Sequence, residues 1–294
     1  MQDNRMHIAT SVNNAFVMPL KVMLYSLAEN TAKDLHIYLL YNDLNDRNRE
    51  SIRKFVSKYC HAVLHEVLID GSLFRNCIDP KSRFPVETCY RLLLPYIPEL
   101  SVEKVLWLDA DVVVCKNIDD FYDADTNGDY LTATCLFGKG DSERRILHKQ
   151  RLNIPQEQKY FNPGVLVFHL PEIRGDFSLQ QILDFCHQNK EKLTFLDQDV
   201  LNFLMGHKTL FFDEYIYQNL EHLTGERIKD ARLIHYITFM KPWELYYQGD
   251  RFALSCFWNY ARKCGFKLNY AVFLIGYNIC KVVYPLYLKI RYNK

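Results

Sequence analysis

The sequence has 294 residues, of which 49% are hydrophobic, and its formal net charge is +1. The hydrophobic content excludes a disordered chain and is enough for a substantial core. The nearly neutral charge excludes a nucleic-acid partner bound by charge alone. The charge is unevenly distributed, however, because residues 251–294 include eight basic residues and no acidic one.

The N-terminus, Met-Gln-Asp-Asn-Arg-Met-His, lacks the basic and apolar segments of a secretory signal. A cytosolic location is therefore expected. Nine cysteines are scattered along the chain without a Cys-x-x-Cys pair. Reduced, mostly buried thiols are expected rather than a disulfide framework or a zinc cluster.

Strand and helix patterns alternate through the first half of the chain, which predicts an α/β fold with a mainly parallel central sheet flanked by helices. The predicted strands are His7–Ser11, Leu35–Tyr41, Ala62–Leu68, a strand from Val105, Tyr130–Cys135, Gly164–Phe168 and Leu233–Tyr236. The predicted helices are Val17–Leu27, Asn48–Tyr59, Val86–Tyr96, Leu179–His187 and Gln198–Leu204.

Two aspartates, Asp109 and Asp111, follow the apolar run Val105-Leu-Trp-Leu108. Asp-x-Asp also occurs at residues 123–125 and 197–199, but only the first pair ends an apolar strand. Ligands of α/β domains bind beyond the carboxyl ends of strands, and carboxylates are the preferred ligands of Mg²⁺ and Mn²⁺. The pair therefore predicts a divalent-cation site in an enzyme acting on a phosphorylated or nucleotide-linked substrate.

Four further segments place polar side chains where such a site needs them. Arg91 lies among apolar residues and should pair with a carboxylate or a phosphate. Asn162 and Gly164 precede a buried strand, where the backbone approaches another group closely. Asp197 and Gln198 begin a helix, and Asp197 is expected to be its N-cap, a catalytic residue or both. His235 and Lys241 offer an imidazole for a metal and an ammonium for a phosphate, although a lone histidine is more often an ordinary core or surface residue.

Together these segments resemble the retaining glycosyltransferases of family 8, which include bacterial lipopolysaccharide galactosyl- and glucosyltransferases and the glycogenin relatives. The resemblance extends from about His7 to Trp243. It rests on the order of Arg91, Asp109-Ala-Asp111, Phe161-Asn-Pro-Gly164, Asp197-Gln-Asp199 and His235-Tyr with Lys241-Pro-Trp243. The resemblance implies the nucleotide-binding GT-A fold, a UDP-hexose donor and Mn²⁺ as cofactor, with Mg²⁺ as an alternative.

The resemblance also implies a role for each matching residue. Asp109, Asp111 and His235 would hold the metal. Arg91 and Lys241 would lie near the donor diphosphate or brace its ligands, and Ala110 would belong to the same cofactor site. Asn162, Asp197 and Gln198 would be the catalytic group facing the donor hexose. A carboxamide is a poor nucleophile, so front-face substitution is favoured over a covalent glycosyl-enzyme.

The nucleoside end departs from the family pattern Ala-x-Asp-x-Asn-Tyr. The matching stretch is Ser11-Val-Asn13-Asn-Ala15-Phe16, preceded by Thr10. Thr10, Ser11, Asn13 and Phe16 are still expected to bind the nucleoside, with Asn13 on uracil and Phe16 stacked on the base. Ala15 offers no polar group. The usual Gly-Pro before Lys-Pro-Trp is replaced by Thr-Phe-Met.

The chain is expected to divide into a catalytic domain at residues 1–250 and a basic, aromatic segment at 251–294. Lys281 and Pro285 interrupt the apolar run of that segment, which is too broken to span a bilayer. Its composition suits the headgroup region of an anionic membrane, at the inner face of the cytoplasmic membrane, where a saccharide or glycolipid acceptor would be concentrated. A helix packed on the domain or a dimer contact is the alternative, and the oligomeric state is not predicted.

Two other functions are alternatives to the transfer of a hexose. Asp-x-Asp-x-Val after an apolar strand also resembles phosphatases that form an aspartyl-phosphate, but those place the motif on the first strand. A non-catalytic, membrane-peripheral binding protein on a degenerate transferase fold is the third possibility, suggested by the altered nucleoside stretch.

Overall fold

A computed structural model describes residues 4–78, 84–135, 143–212, 217–219, 226–237 and 240–292. The strands of the described residues are β1 (Arg5–Ser11), β2 (Asp34–Tyr41), β3 (Val63–Leu68), β4 (Lys104–Leu108), β5 (Val112–Val114), β6 (Leu131–Cys135), β7 (Phe161–His169), β8 (Thr209–Phe212), β9 (Tyr217–Asn219) and β10 (Leu233–His235). The helices are α1 (Val17–Asn30), α2 (Asp46–Phe55), α3 (Asp119–Tyr122), α4 (Glu143–Leu152), α5 (Leu170–Asp176), α6 (Leu179–Asn189), α7 (Asp197–Met205), α8 (Glu226–Asp230), α9 (Arg251–Lys263) and α10 (Lys267–Tyr292).

Among the described residues, seven strands form the central sheet in the order β3-β2-β1-β4-β7-β6-β8. Strand β7 pairs antiparallel with its neighbours, β4 and β6, and the other described pairings of this sheet are parallel. The predicted mixed α/β architecture with a mainly parallel sheet is therefore confirmed. The chain moves outward from β1 to β3 and then returns to the other side of β1 as β4, so the strand order reverses between β1 and β4.

The central strands are apolar along their whole length because both faces of the sheet are covered. Val105, Leu106, Trp107 and Leu108 of β4 are all fully buried. Leu106 and Leu108 belong to one core cluster with α1 and α9, whereas Val105 and Trp107 belong to the cluster on the other face. Alternate residues of one strand thus enter both cores.

A second, three-stranded sheet has the order β5-β10-β9. Strand β5 begins immediately after Asp111 and pairs antiparallel with β10, so that Val112 faces His235. The Tyr236 amide continues this ladder by donating to the Asp111 carbonyl at 3.0 Å. This register places His235, from late in the chain, beside the aspartate pair.

Some elements differ from their predictions. Residues Val86–Tyr96 form a 3₁₀ helix instead of the predicted α-helix. Pro95 lies inside it and has no amide hydrogen to donate to the carbonyl four residues earlier, which disfavours regular α-helix there. Strand β7 begins at Phe161, three residues earlier than predicted. Strands β5, β8 and β9 were not predicted, and each has only three or four residues.

The C-terminal helices pack on the core cluster that also contains α1, Leu106 and Leu108. Phe257 and Trp258 of α9 and Phe273 of α10 are buried there. The other side of α10 is apolar and exposed, with Leu268, Val272, Ile275 and Ile279 each more than half exposed. In the part of the chain that the structure describes, no helix combines the length and the apolar content needed to cross a membrane.

Candidate functional site

A cleft opens at the carboxyl ends of β1 and β4, where the strand order reverses. In open α/β sheets this is the position at which ligands bind. It is lined by residues from the loop after β1, the 3₁₀ helix, the end of β4, the start of β7, the start of α7 and the segment after β10. These are Ser11, Val12, Asn13, Phe16, Phe84, Pro85, Glu87, Thr88, Arg91, Asp109, Ala110, Asp111, Asn162, Pro163, Phe195, Asp197, Gln198, His235, Ile237 and Lys241.

Asp109, Asp111 and His235 form a cluster in this cleft. His235 Nε2 lies 3.2 Å from Asp111 Oδ1 and 3.6 Å from Asp109 Oδ2. One donor atom from each residue lies within 4.8 Å of the others, so the three can face one ion. Two carboxylates and an imidazole suit Mn²⁺ and Mg²⁺, and the open cleft leaves positions for substrate oxygens.

Gly164 on β7 makes this cluster sterically possible. Its carbonyl accepts the Asp109 amide at 2.9 Å, so the β7 backbone passes directly beside the cluster. A Cβ atom at residue 164 would lie 2.7 Å from Asp109 Oδ2 and would overlap the His235 ring. Neither group can move without losing the cluster, so glycine is required by close approach.

Arg91 holds the other side of Asp109. Its Nη2 donates to Asp109 Oδ1 at 2.9 Å, and Trp107 Nε1 donates to the same oxygen at 2.8 Å. The guanidinium also lies 4.7 Å from the Trp107 ring centroid and donates to the Pro163 carbonyl. The predicted carboxylate partner of Arg91 is thus Asp109, and the Asp109 oxygen that these bonds leave open is the one facing His235.

Lys241 contacts the Asp111 oxygen that does not face His235, with Nζ 2.8 Å from Asp111 Oδ2. Burial by itself raises the pKa of Asp111, but the nearby His235 and Lys241 outweigh it and hold that pKa well below its usual range. Asp111 is therefore a carboxylate at neutral pH, as a metal ligand must be.

Asp197 is the second carboxylate beside Arg91, whose Nε lies 3.0 Å from Asp197 Oδ2. The Nε hydrogen points to the Thr88 carbonyl instead, so within the described residues this oxygen has no well-directed hydrogen bond. Burial raises the pKa of Asp197 to about 7, although Arg91 opposes the rise. The expected N-cap role is wrong, because Leu196 occupies the cap position and Asp197 is the first residue of α7.

Replacing Asp197 by asparagine should remove a pH dependence of stability. The pKa of Asp197 is about 7 in the folded protein and 3.8 as a free group. The folded state therefore retains a proton that the unfolded state has released, and the free energy of unfolding falls as the pH rises from about 4 to 7. The free energy of unfolding of Asp197→Asn, relative to that of the unmodified protein, should therefore rise by about 4 kcal/mol between pH 4 and pH 8. Urea unfolding of both proteins in metal-free buffer measures this, and a difference independent of pH would contradict it.

Asn162 and Gln198 face the same part of the cleft. Asn162 Nδ2 donates to Gln198 Oε1 at 3.2 Å, and Asn162 Oδ1 accepts the Gly164 amide at 2.9 Å. A polar pair from the start of β7 and the start of α7 therefore lies next to the metal-ligand cluster. Asp197 precedes Gln198 in the chain, so the three predicted catalytic residues, Asn162, Asp197 and Gln198, lie together.

Ser11, Asn13 and Phe16 line the end of the cleft that follows β1. Asn13 Oδ1 accepts the Ala15 backbone amide at 3.0 Å, which leaves the side-chain Nδ2 of Asn13 for a ligand. The Phe16 ring packs edge-on against Trp243, 5.8 Å between centroids. Thr10, in contrast, is fully buried in β1 and is not among the residues that line the cleft. Residues 238 and 239 of the Thr-Phe-Met replacement lie outside the described residues.

Several lining residues were not predicted. Glu87 and Thr88 reach the cleft from the 3₁₀ helix that holds Arg91. Their spacing of four and three residues from Arg91 could have identified them, because residues at that spacing share one face of the α-helix predicted at Val86–Tyr96. Phe195 and Ile237 are apolar lining residues for which the sequence offers no such signal.

A sequence profile described as glycosyl transferase family 8 matches residues 7–245. Among curated proteins, glycosyltransferase GlyA of Streptococcus pneumoniae is 25% identical over 220 residues, which cover 72% of this chain and 29% of that protein. The lipopolysaccharide 1,3-galactosyltransferase of Salmonella typhimurium is 21% identical over 253 residues, covering 82% of this chain and 73% of that protein. The chain spans 62%, 70% and 29% of the lengths of three curated relatives, so it corresponds to only a part of some of them.

Among solved structures, the galactosyltransferase LgtC in complex with donor and acceptor sugar analogues is similar, with a TM-score of 0.73. The alignment covers 88% of this chain and 96% of that chain at 20% identity. At this identity the likeness concerns the fold.

Proposed function

Because this chain belongs to glycosyl transferase family 8, we propose that it transfers glucose or galactose from a UDP-sugar to a saccharide or glycolipid of a surface glycan, with retention at the anomeric carbon. The observation that carries the proposal is the cluster of Asp109, Asp111 and His235 at one end of a cleft whose next groups are Asn162 and Gln198. A metal-ligand set beside a polar, non-nucleophilic pair suits a nucleoside diphosphate joined to a sugar.

Asp109, Asp111 and His235 would hold Mn²⁺, or Mg²⁺, which when bound offsets the charge that develops on a leaving diphosphate. The residues fit this role because their donor atoms converge and Asp111 is ionised. Arg91 orients Asp109 through its bond to Oδ1. Lys241, with its ammonium 2.8 Å from Asp111, would bring a positive charge to the diphosphate itself.

Asn162, Asp197 and Gln198 would contact the hexose. Asp197 is a buried residue of the cleft wall that lies beside Arg91. The amides of Asn162 and Gln198 offer both donors and acceptors to sugar hydroxyls. An amide is too weak a nucleophile for a stable glycosyl-enzyme. We favour front-face substitution, in which the acceptor hydroxyl enters on the side from which the diphosphate leaves.

The nucleoside would occupy the end of the cleft formed by Ser11, Asn13 and Phe16. The amide nitrogen of Asn13 can donate to a uracil carbonyl, and Phe16 supplies an aromatic ring held by Trp243. Glu87 is the carboxylate that lines this cleft from the 3₁₀ helix, and it can accept hydrogen bonds from ribose hydroxyls.

Calorimetric titration of UDP, GDP and ADP, with and without Mn²⁺, tests this proposal directly. We expect UDP to bind in the presence of the metal, and one UDP-hexose to be hydrolysed slowly by the same preparation. No nucleotide binding and no turnover in a folded protein would favour a non-catalytic binding protein on this fold. Release of phosphate from simple phosphomonoesters would favour the phosphatase alternative. Preference for another base would refute the assignment of UDP.

We also propose that residues 251–294 bind the inner face of an anionic membrane. The support is the exposed stripe formed by Leu268, Val272, Ile275 and Ile279 of α10, together with the basic residues of this segment. The spacing of four, three and four residues places these side chains on one face of the helix. An amphipathic helix of this kind lies in the plane of the headgroups.

Replacing Val272 and Ile275 together by aspartate should weaken membrane binding at least about ten-fold, because two apolar side chains would no longer enter the lipid. Co-sedimentation with phosphatidylglycerol vesicles measures the effect, and hydrolysis of the donor should be unchanged. Leu68→Asp is the control, since Leu68 is 69% exposed and belongs to β3, an edge strand of the central sheet, and not to α10. Equal sedimentation of all three proteins would contradict the assignment.

A further inference from the structure

A chain of buried side-chain hydrogen bonds leads from α4 to Gln198. His148 Nε2 lies 2.6 Å from Asp199 Oδ1, and the Tyr160 hydroxyl donates to the same oxygen at 2.5 Å. Gln198 Nε2 then lies 3.2 Å from the Tyr160 oxygen. Tyr160 and Asp199 are 4% and 0% exposed, and neither is among the residues that line the cleft. Gln198 is thus the point at which this chain reaches the cleft.

The far end of the chain determines where its protons lie. Arg151 Nη2 lies 3.1 Å from His148 Nδ1, and a guanidinium can only donate. Nδ1 must therefore accept, which leaves the imidazole hydrogen on Nε2. That hydrogen is donated to Asp199, because a carboxylate only accepts.

The middle of the chain has the same direction. Asp199 Oδ2 accepts the Phe195 amide at 2.9 Å, so both carboxylate oxygens are acceptors. Burial, with the charge of Asp199, raises the pKa of Tyr160 well above its usual value, so the phenol keeps its single proton. Since that proton is donated to Asp199, the Tyr160 oxygen can only accept from Gln198. The NH₂ group of the Gln198 carboxamide therefore points to Tyr160.

The near end gives the same orientation independently. The Gly164 amide can only donate, and it donates to Asn162 Oδ1 at 2.9 Å. The NH₂ group of Asn162 must then be the side that faces Gln198, where it donates to Oε1 at 3.2 Å. Both ends thus place the carbonyl oxygen of Gln198 on the side of Asn162, which lines the cleft.

We propose that His148, Asp199 and Tyr160 are positioning residues that hold the Gln198 carboxamide with its carbonyl oxygen toward the donor sugar. This inference rests on the proposed function. In front-face substitution, positive charge develops at the anomeric carbon as the bond to the diphosphate breaks. A carbonyl oxygen oriented toward that carbon stabilises the charge, whereas the NH₂ group of a reversed amide would oppose it.

The isosteric change Asp199→Asn tests the orientation, because it should reverse the chain. The Phe195 amide would still demand the side-chain oxygen at residue 199, so the new NH₂ group would face Tyr160, and the Nε2 hydrogen of His148 would lose its acceptor. The Tyr160 proton would then turn to Gln198 and favour the flipped amide. We expect kcat for donor turnover to fall about a hundred-fold in Asp199→Asn. In Tyr160→Phe, which interrupts the chain without reversing it, we expect about a ten-fold fall.

Tyr247→Phe is the matched control. Tyr247 is buried in the other core, and its hydroxyl has no hydrogen-bond partner in the described part of the chain. Its kcat should be unchanged. In all three variants the Kd of UDP with Mn²⁺ should stay at the value of the unmodified protein, because the hydrogen-bonded series His148–Asp199–Tyr160 contacts the sugar side of the site alone.

Unchanged kcat in folded Asp199→Asn and Tyr160→Phe would overturn the inference and leave the proposed function intact. A parallel loss of UDP affinity and kcat would also overturn it, since it would indicate a general structural role. Absence of any donor turnover in the unmodified protein would overturn the proposed function, and this inference with it.

Discussion

Replacement of Asp111 by asparagine should lower donor turnover at least about a hundred-fold and abolish the metal dependence of UDP binding. Asp111 is the member of the cluster that contacts both His235, at 3.2 Å, and Lys241, at 2.8 Å. Asparagine keeps the shape but removes the charge that attracts a hard cation. Loss of a single ligand from a site of three protein donors is sufficient to remove most of the affinity. Calorimetry with Mn²⁺ and UDP, followed by kinetics, measures both effects.

Asp125→Asn is the matched control for this experiment. Asp125 belongs to another Asp-x-Asp pair, but it is exposed and its Oδ1 accepts the Asn127 amide at 3.1 Å in a turn. An asparagine can make the same turn, so turnover should be unaffected. Near-normal turnover by Asp111→Asn, in a protein with an unchanged circular dichroism spectrum, would refute the metal assignment.

Replacement of Arg91 by methionine should lower the free energy of unfolding by about 3–5 kcal/mol. Arg91 is 3% exposed and lies 2.9 Å from Asp109 and 3.0 Å from Asp197. Methionine fills much of the space, but without Arg91 the pKa of Asp197 rises further, so at pH 8 Asp197 is either an uncompensated buried carboxylate or must take up a proton. Both cost free energy, and removal of one partner from a buried ion pair is strongly destabilising. Urea unfolding at pH 8, where Asp197 of the unmodified protein is mainly ionised, measures the loss.

Two further variants show whether the buried charge is the cause. Arg232→Met removes an ion pair to Asp120 in which the side chains are 31% and 54% exposed, and it should cost less than about 1 kcal/mol. The double variant Arg91→Met with Asp197→Asn should recover part of the loss, because the uncompensated carboxylate is gone. A double variant as unstable as the sum of the single ones would assign the effect to lost packing over Trp107.

The fold of this chain follows largely from local patterns. Alternation of apolar strands with amphipathic helices predicts the sheet, and the apolar run before Asp109 places the aspartate pair at a strand end. These predictions succeed because burial on both faces requires near-continuous apolar residues. The predictions are weakest for β5, β8 and β9, since strands of three or four residues have too few residues to show a period.

For the cleft, too, local patterns predict some features and miss others. Arg91, Asn162, Gly164 and His235 stand out in the sequence because each is a polar residue or a glycine within or beside an apolar stretch. Their partners do not. The pairing of β5 with β10 decides that His235 meets Asp111, and the passage of β7 beside β4 decides that residue 164 must be glycine. Such contacts join residues far apart in the chain, where no local pattern indicates them.

The amino-acid sequence alone determined the class of this protein: the α/β sheet, the carboxylate pair and the order of motifs that identify the family. Only the tertiary structure decided how the groups act on one another. Arg91 acquires two carboxylates, Asp197 acquires a raised pKa, and Tyr160 with Asp199 acquires a hydrogen-bond direction that reaches Gln198. The physical reason is that hydrophobic periodicity is a property of neighbouring residues. Charge, desolvation and hydrogen-bond direction, in contrast, depend on which distant side chains the folded chain brings together.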